Sequence, residues 1–254
     1  MLIPHFTLPS NPAKKIQLRE ANVSDCIDFA EIDESHEEEV TTLCLNRLQT
    51  PETFYDASLW TAQDRRFAIF WYYIHTESDT QAEWLYDCDH CKKQHKQAID
   101  LKVLADGYKP ITGLPYREIE FEGEKIIVKP LSGKDMEDLE NSRLVLNNKE
   151  ELKPNVYRRS LAELRILELM KSIDFGGLDE KAKEEKIKNF SMRQFYDLAE
   201  KASGKLIELQ HGLDSIVSDG KIYLLLPPHE CPEKKGEVTR LRVTFRNSEY
   251  IPRL

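Results

Sequence analysis

The sequence predicts an α+β protein in which strands near 82–129 and 221–246 form a small β-hairpin platform, with N-terminal helices before it and a helical block, about 132–216, inserted into it. Three observations predict this. Apolar residues recur every three or four positions in Val156–Ile173 (Leu161, Leu164, Leu167, Met170, Ile173) and in Met192–Leu213 (Phe195, Leu198, Ala202, Leu206, Leu209), the period of an amphipathic helix. REIEFEGEKIIVKPL reads as two alternating runs about a Glu122-Gly123-Glu124 turn, the pattern of a hairpin. Cys88 and Cys91 stand as C-x-x-C between two further strand-like runs, AEWLYD and KQAIDLKVL.

In chain order, an extended arm is followed by a strand at Lys15–Arg19 and a helix opening near Ser24 and Asp25, both good capping residues. Helices are expected over Ser35–Arg47 and Trp60–Ile74, separated by the Pro51–Tyr55 punctuation. The third helix is apolar around most of its circumference (Phe67, Ile69, Phe70, Trp71, Tyr73, Ile74), which implies burial on more than one side or a partner-binding face. Between the two periodic helices of the inserted block, LDEKAKEEKIKNF reads as a solvated helix or linker, and Ser191 as the cap of the helix after it. The chain returns to strands in KIYLLLP and EVTRLRVTFR. This divides it into an N-terminal region 1–80, a β-rich domain of 81–131 with 217–254, and an inserted helical domain 132–216. KKIQLREANVSDCIDF and GEKIIVKPLSGKDMEDL share a weak pattern, pairing Ile16 with Ile126, Leu18 with Val128 and Asp25 with Asp135. Duplication and convergent strand-to-helix chemistry both account for it.

The chain has 254 residues, 40% of them hydrophobic, enough to bury a sizeable core. A net charge of −9 repels nucleic-acid phosphates, and no nucleic-acid partner is expected. MLIPHFTLPSNPAKK lacks the basic and apolar regions of a secretory leader, and no apolar run approaches the ~20 residues of a membrane helix. A place in the cytoplasm, with five cysteines as buried thiols plus a metal site, is expected in preference to disulfides.

Two thiolates spaced as Cys88 and Cys91 reach one tetrahedral zinc from a knuckle whose amides stabilise the sulfur charge. His229 and Cys231, in LLLPPHECPEKK, stand in an equivalent turn between later strands. If the turns face each other, Cys88, Cys91, His229 and Cys231 make a Cys3His zinc-ribbon-like site with one structural Zn²⁺. H-x-C in place of a second C-x-x-C is a departure from the usual ribbon, and His90 or His95 is an alternative ligand. Without a metal, the pair are plain turn cysteines and His229 a surface histidine. Thioredoxin-like redox work needs the first cysteine at a helix N-terminus, and here strands flank the motif. No glycine-rich phosphate loop, G-x-S-x-G elbow or H-E-x-x-H helix is present, so no catalytic residues are expected.

FTLPSNPAKKIQLREANVSDCIDFAEID, the C-x-x-C hairpin ending in AIDL, and IIVKPLSGKDMEDL together resemble the baseplate hub subunit family of T-even-like contractile-tailed bacteriophages. The likeness covers the first half of the chain and its general layout. It implies a non-catalytic structural or assembly protein working in the host cytoplasm or within the virion, with other baseplate and tail hub proteins as partners. It transfers no catalytic or metal-binding residues. A zinc-ribbon adaptor of a cytoplasmic regulatory complex is the alternative reading.

Overall fold

The structure, a computed structural model, describes residues 2–33, 35–147, 153–218 and 221–253. Its mixed α+β architecture is built from small antiparallel sheets and eight helices among the described residues. β1 (Phe6–Leu8) and β2 (Asn11–Ile16) form a hairpin with Phe6 opposite Ile16. The strand expected over Lys15–Arg19 therefore starts earlier and ends at Ile16. Leu18 and Arg19 continue only as isolated bridges to Gln49 and Leu2.

α1 (Val23–Ala30) is capped by Asn22, which lies two positions before the expected Ser24. The Asn22 side chain accepts from Asp25 N at 3.0 Å, and Asp25 accepts in return from Asn22 N at 2.8 Å. The same buried carboxylate takes two hydrogen bonds from Arg19, at 2.6 and 3.0 Å, and one from Arg47 at 3.2 Å. Asp135 makes the corresponding box with Ser132, and Ile16, Leu18, Ile126 and Val128 are all fully buried. Thr61 and Asp64, outside the sequence repeat, make a third such box, so capping chemistry by itself yields the cap portion of the shared pattern.

α2 (Glu37–Leu48) and α3 (Ala62–Thr76) follow. α3 is apolar around most of its circumference because it is buried on several sides. Phe67 meets Phe6 edge-on with ring centroids 5.7 Å apart, and Phe70 meets Tyr250 near the C-terminus at 5.6 Å. β3 (Gln81–Asp87) and β4 (Gln94–Asp100) pair as a two-stranded ribbon with Tyr86 opposite His95. The strand expected through Leu104 stops at Asp100, whose Oδ1 accepts from Thr80 Oγ1 at 2.8 Å and from Lys102 N at 3.0 Å. This turns the chain into the short α4 (Lys102–Asp106).

β5 (Arg117–Phe121) and β6 (Glu124–Val128) form the expected hairpin. Its two-residue turn puts Glu122 at φ 52° and Gly123 at φ 77°, the left-handed pair that matches strand twist and that glycine adopts without strain. α5 (Gly133–Asn147), α6 (Pro154–Ser172), β7 (Ile173–Asp174), α7 (Glu180–Lys188) and α8 (Met192–Glu208) complete the inserted block. β7 adds to the free edge of β6. α7 is the charged helix anticipated, with Ile187 its one buried residue, and Ser191 caps α8 reciprocally with Gln194. β8 (Ser215–Ser218), β9 (Lys221–Leu225), β10 (His229–Cys231), β11 (Lys234–Thr239) and β12 (Arg242–Phe245) end the fold. EVTRLRVTFR is split: β11 pairs with β10, whereas β12 pairs with β9 in a sheet ordered β12-β9-β8.

Two apolar cores result. One gathers β1, β2, α1, α2, α3, α4 and the C-terminal Leu224, Phe245 and Ile251. The other joins Ile119, Phe121, Ile126 and Val128 to Leu169, Met170, Ile173, Leu198 and Ala202. The hairpin at 117–128, expected with the β-rich platform, thus shares its core with the inserted helices. Thr61–Ser132 and Lys109–Gly212 bridges tie the two ends of the block back to the first core.

Candidate metal centre

The β3–β4 ribbon ends in a knuckle. Cys88 N donates to Lys93 O at 3.0 Å and Lys92 N to Cys88 O at 2.8 Å, with Lys92 at φ 60°. The amides of Cys91 and His90 that this turn directs at Cys88 lower its pKa to about 7, against the opposing effect of burial. A thiolate is thereby favoured through backbone amides. Burial pushes the Cys91 thiol up.

The second turn approaches from β10–β11. Cys231 ends β10, is buried, and brings its Sγ to 3.6 Å from Cys88 Sγ. All five cysteines are free thiols. On the first turn Cys91 Sγ lies 3.0 Å from His95 Nε2. The donor atoms of Cys88, Cys91, His95 and Cys231 all fall within 4.8 Å of one another. Zinc bonds of about 2.3 Å to sulfur and 2.0 Å to nitrogen set tetrahedron edges of roughly 3.5–3.8 Å, so four donors this close surround a single ion with small adjustment. The donor set, three sulfurs and an imidazole, is one that zinc takes in structural sites.

Three of the four expected ligands, Cys88, Cys91 and Cys231, come together. The histidine that joins them is His95 and not His229. His229 Nε2 instead meets the Tyr86 hydroxyl at 2.5 Å, with the rings edge to face at 5.0 Å, and its Nδ1 is buried with no partner among the described residues. The physical reason is register: His95, directly opposite Tyr86, follows the knuckle on its own ribbon, whereas His229 stands two residues before Cys231 and is taken up by Tyr86. His90, the other substitute, joins the turns from outside. Its Nε2 donates to Val238 O at 3.1 Å and its Nδ1 lies 3.1 Å from the Glu237 carboxylate.

C-x-x-C-x-x-x-H was legible as a spacing. Cys231-Pro232-Glu233-Lys234 also has the outline of a second C-x-x-C with lysine in the last position, which signals that the missing ligand comes from elsewhere. Lys93 and Glu233 add an ion pair at 3.1 Å between the turns. Burial of the ring and the nearby thiols raises the Tyr86 pKa. No helix of the described residues is long and apolar enough to cross a membrane. No family model, curated protein or solved structure matches the chain.

Proposed function

We propose that this chain is a non-catalytic structural or assembly protein that acts through protein contacts, with one zinc ion clamping its two remote hairpins, and that its setting is the baseplate hub of a contractile phage tail. The observation that carries the reading is the closed Cys88, Cys91, His95, Cys231 donor set. Four protein donors complete a tetrahedron and leave no position for water or substrate, which is the mark of a structural zinc and not a catalytic one. The clamp also has work to do. β3 and β4 alternate exposed and half-buried residues, and β11 is almost wholly exposed, so neither ribbon has a core of its own. Two-stranded ribbons of this kind are marginal without such a staple.

Contact surfaces are present for partners. Leu85 on β3 and the pair Met192 and Tyr196, one turn apart on α8, are apolar and exposed. The phage setting rests on the resemblance of the N-terminal arm, the knuckle hairpin and the strand-turn-helix at 126–139. Hub proteins of the tail are then the partners, met in the host cytoplasm during assembly.

Native mass spectrometry of the purified chain, alone and mixed with candidate tail proteins, tests both parts. One zinc per chain and a defined complex with a hub protein is the expected result. A metal-free folded chain overturns the clamp, and a zinc-loaded chain that ignores every tail protein overturns the setting.

A further inference from the structure

A polar cavity of about 280 Å³ lies at the junction of α3, the end of α8 and the start of β8, lined among others by Gln63, Arg66, Lys109, Gln210 and Ser215. Its charge is opposite to that of the chain. Arg66 and Lys109 face it, Arg240 stands beside it, and the one carboxylate in its lining, Asp214, is already engaged by Arg240 at 2.5 Å and Lys109 at 3.5 Å. In a protein of net charge −9 this corner is locally positive.

Arg66 is the unusual member. Its Nε donates to Ala62 O in its own helix at 3.1 Å, and among the described residues its two Nη groups have no hydrogen-bond or ion-pair partner. Burial lowers its pKa, and Glu38, the carboxylate that acts favourably on it, makes its ion pair with Arg65. A guanidinium in this position presents an unused planar fork to the cavity, the geometry that binds carboxylate or phosphate through two oxygens. Gln63 adds a buried Oε1 without a partner, which asks for a donor.

The other groups around the cavity are accounted for. His211 donates from Nδ1 to Leu209 O at 2.6 Å, its Nε2 meets the Thr61 hydroxyl at 2.7 Å and lies 3.8 Å from Asp64, and burial lowers its pKa, which favours the neutral ring. Asp64, behind it, spends its carboxylate on the amide and hydroxyl of Ser10 and on the α3 cap. The Lys109 and Gly212 amides bond to each other's carbonyls.

We propose that this cavity binds a tetrahedral oxyanion of the phosphate class, with Arg66 as the forked contact and Lys109 as the second cation. Phosphate fits better than a carboxylate for two reasons. It carries close to two charges against two cations, and its protonated form supplies the hydroxyl that Gln63 Oε1 lacks. Free hydrogen phosphate supplies both; a small phosphomonoester supplies the dianion, with a hydroxyl of its organic part in place of the P–OH, and a cavity at the lower limit of small-molecule sites accommodates either.

Calorimetric titration of the zinc-loaded full chain, at fixed ionic strength in chloride, separates these. Inorganic phosphate is expected to bind once per chain, with ribose 5-phosphate as the ester arm. Equal affinities identify the free anion, and tighter binding of the ester identifies an organic phosphate. Arg66→Met should weaken binding by about tenfold or more, the loss of a charge-assisted pair. Lys109→Met, at an exposed position safe for folding, should weaken it severalfold, and Lys102→Met, an exposed charge-matched control, should not. No saturable binding up to ~10 mM, beyond which any site is very weak, overturns the proposal. So does binding that survives both Arg66→Met and Lys109→Met unchanged.

Discussion

Cys88→Ser removes the sulfur whose thiolate the knuckle amides favour, and the consequence can be worked from the fold. The proposed metal clamp would join Cys88 to Cys231 across a sequence separation of 143 residues. A cross-link closing a loop of that length is worth about 5 kcal/mol in the chain-entropy account, more than the few apolar contacts the ribbons make. Serine leaves three donors and a weak oxygen, so most of the clamp is lost. β3 touches the first core through Ala82 and Trp84, while β10 and β11 contribute nothing to either core. The loss should therefore be local. Hydrogen exchange read by mass spectrometry should show amides of 83–97 and 229–238 losing about 3–5 kcal/mol of protection, that is exchange faster by a factor of about 10² to 5 × 10³. Amides of α3, which bury Phe67, Ile69 and Phe70, should hold theirs. A change below about 0.5 kcal/mol in the ribbons, the size of an ordinary surface substitution, refutes the clamp. An equal loss in α3 refutes its locality.

The two histidines separate cleanly: His95→Ala should lower zinc affinity by about 10-fold or more, while His229→Ala, which loses only the Tyr86 contact, should still carry one zinc per chain by metal analysis. At Gly133 a Cβ would stand 2.8 Å from Ala57 O and collide with the buried Arg65 side chain, so Gly133→Ala should cost about 1–3 kcal/mol in urea unfolding. Lys171, buried against Asp135, Asp138 and Glu180, links α5, α6 and α7. Because Asp138 and Glu180 are largely solvated, Lys171→Met should cost about 1–3 kcal/mol, less than a fully buried pair would. Burial pushes Glu140 up to about 7 from its ordinary 4.5, so within that window the folded chain holds a proton that the unfolded chain has released. Stability from this group falls as pH rises from about 4.5 to 7, and Glu140→Gln should flatten that slope. Asp25, held far below its ordinary value chiefly by Arg19, acts with the opposite sign: its stabilisation is complete above 3.8 and is lost as pH falls further.

What the sequence made legible was local chemistry. The Glu122-Gly123 turn, the Ser191 cap and the C-x-x-C knuckle each depend on a few adjacent residues, and each forms as its residues dictate. What escaped depends on partners remote in sequence. The choice of His95 over His229 is fixed by the Tyr86 hydroxyl, which lies 143 positions from His229 and competes for its ring. The division of EVTRLRVTFR between two sheets depends on β9, which takes β12 while β10 takes β11. The strand expected through Leu104 fails because Asp100 has a hydroxyl, Thr80, across the ribbon to share its carboxylate. α2 has no side-chain cap in its own sequence. Its first-turn Glu38 amide is met by the Glu140 carboxylate of α5, 102 residues on, at 3.0 Å to each oxygen.

That trans-cap bears on how the metal site is assembled. Cys231 reaches Cys88 only if the chain, having left the first core at Ser132, comes back to it near Gly212. The structure fastens both crossing points. Thr61 pairs with Ser132 where the block leaves and Lys109 with Gly212 where it returns, and Glu140 holds α5 against α2 between them. The four candidate ligands are therefore brought together by contacts that involve no ligand, so part of the entropy of bringing Cys231 to Cys88 is met by the docking of the inserted helices and would not fall on a bound zinc. A substitution that loosens this docking should weaken zinc binding without touching the site, and added zinc should restore the docking to the same extent, since the two equilibria are linked.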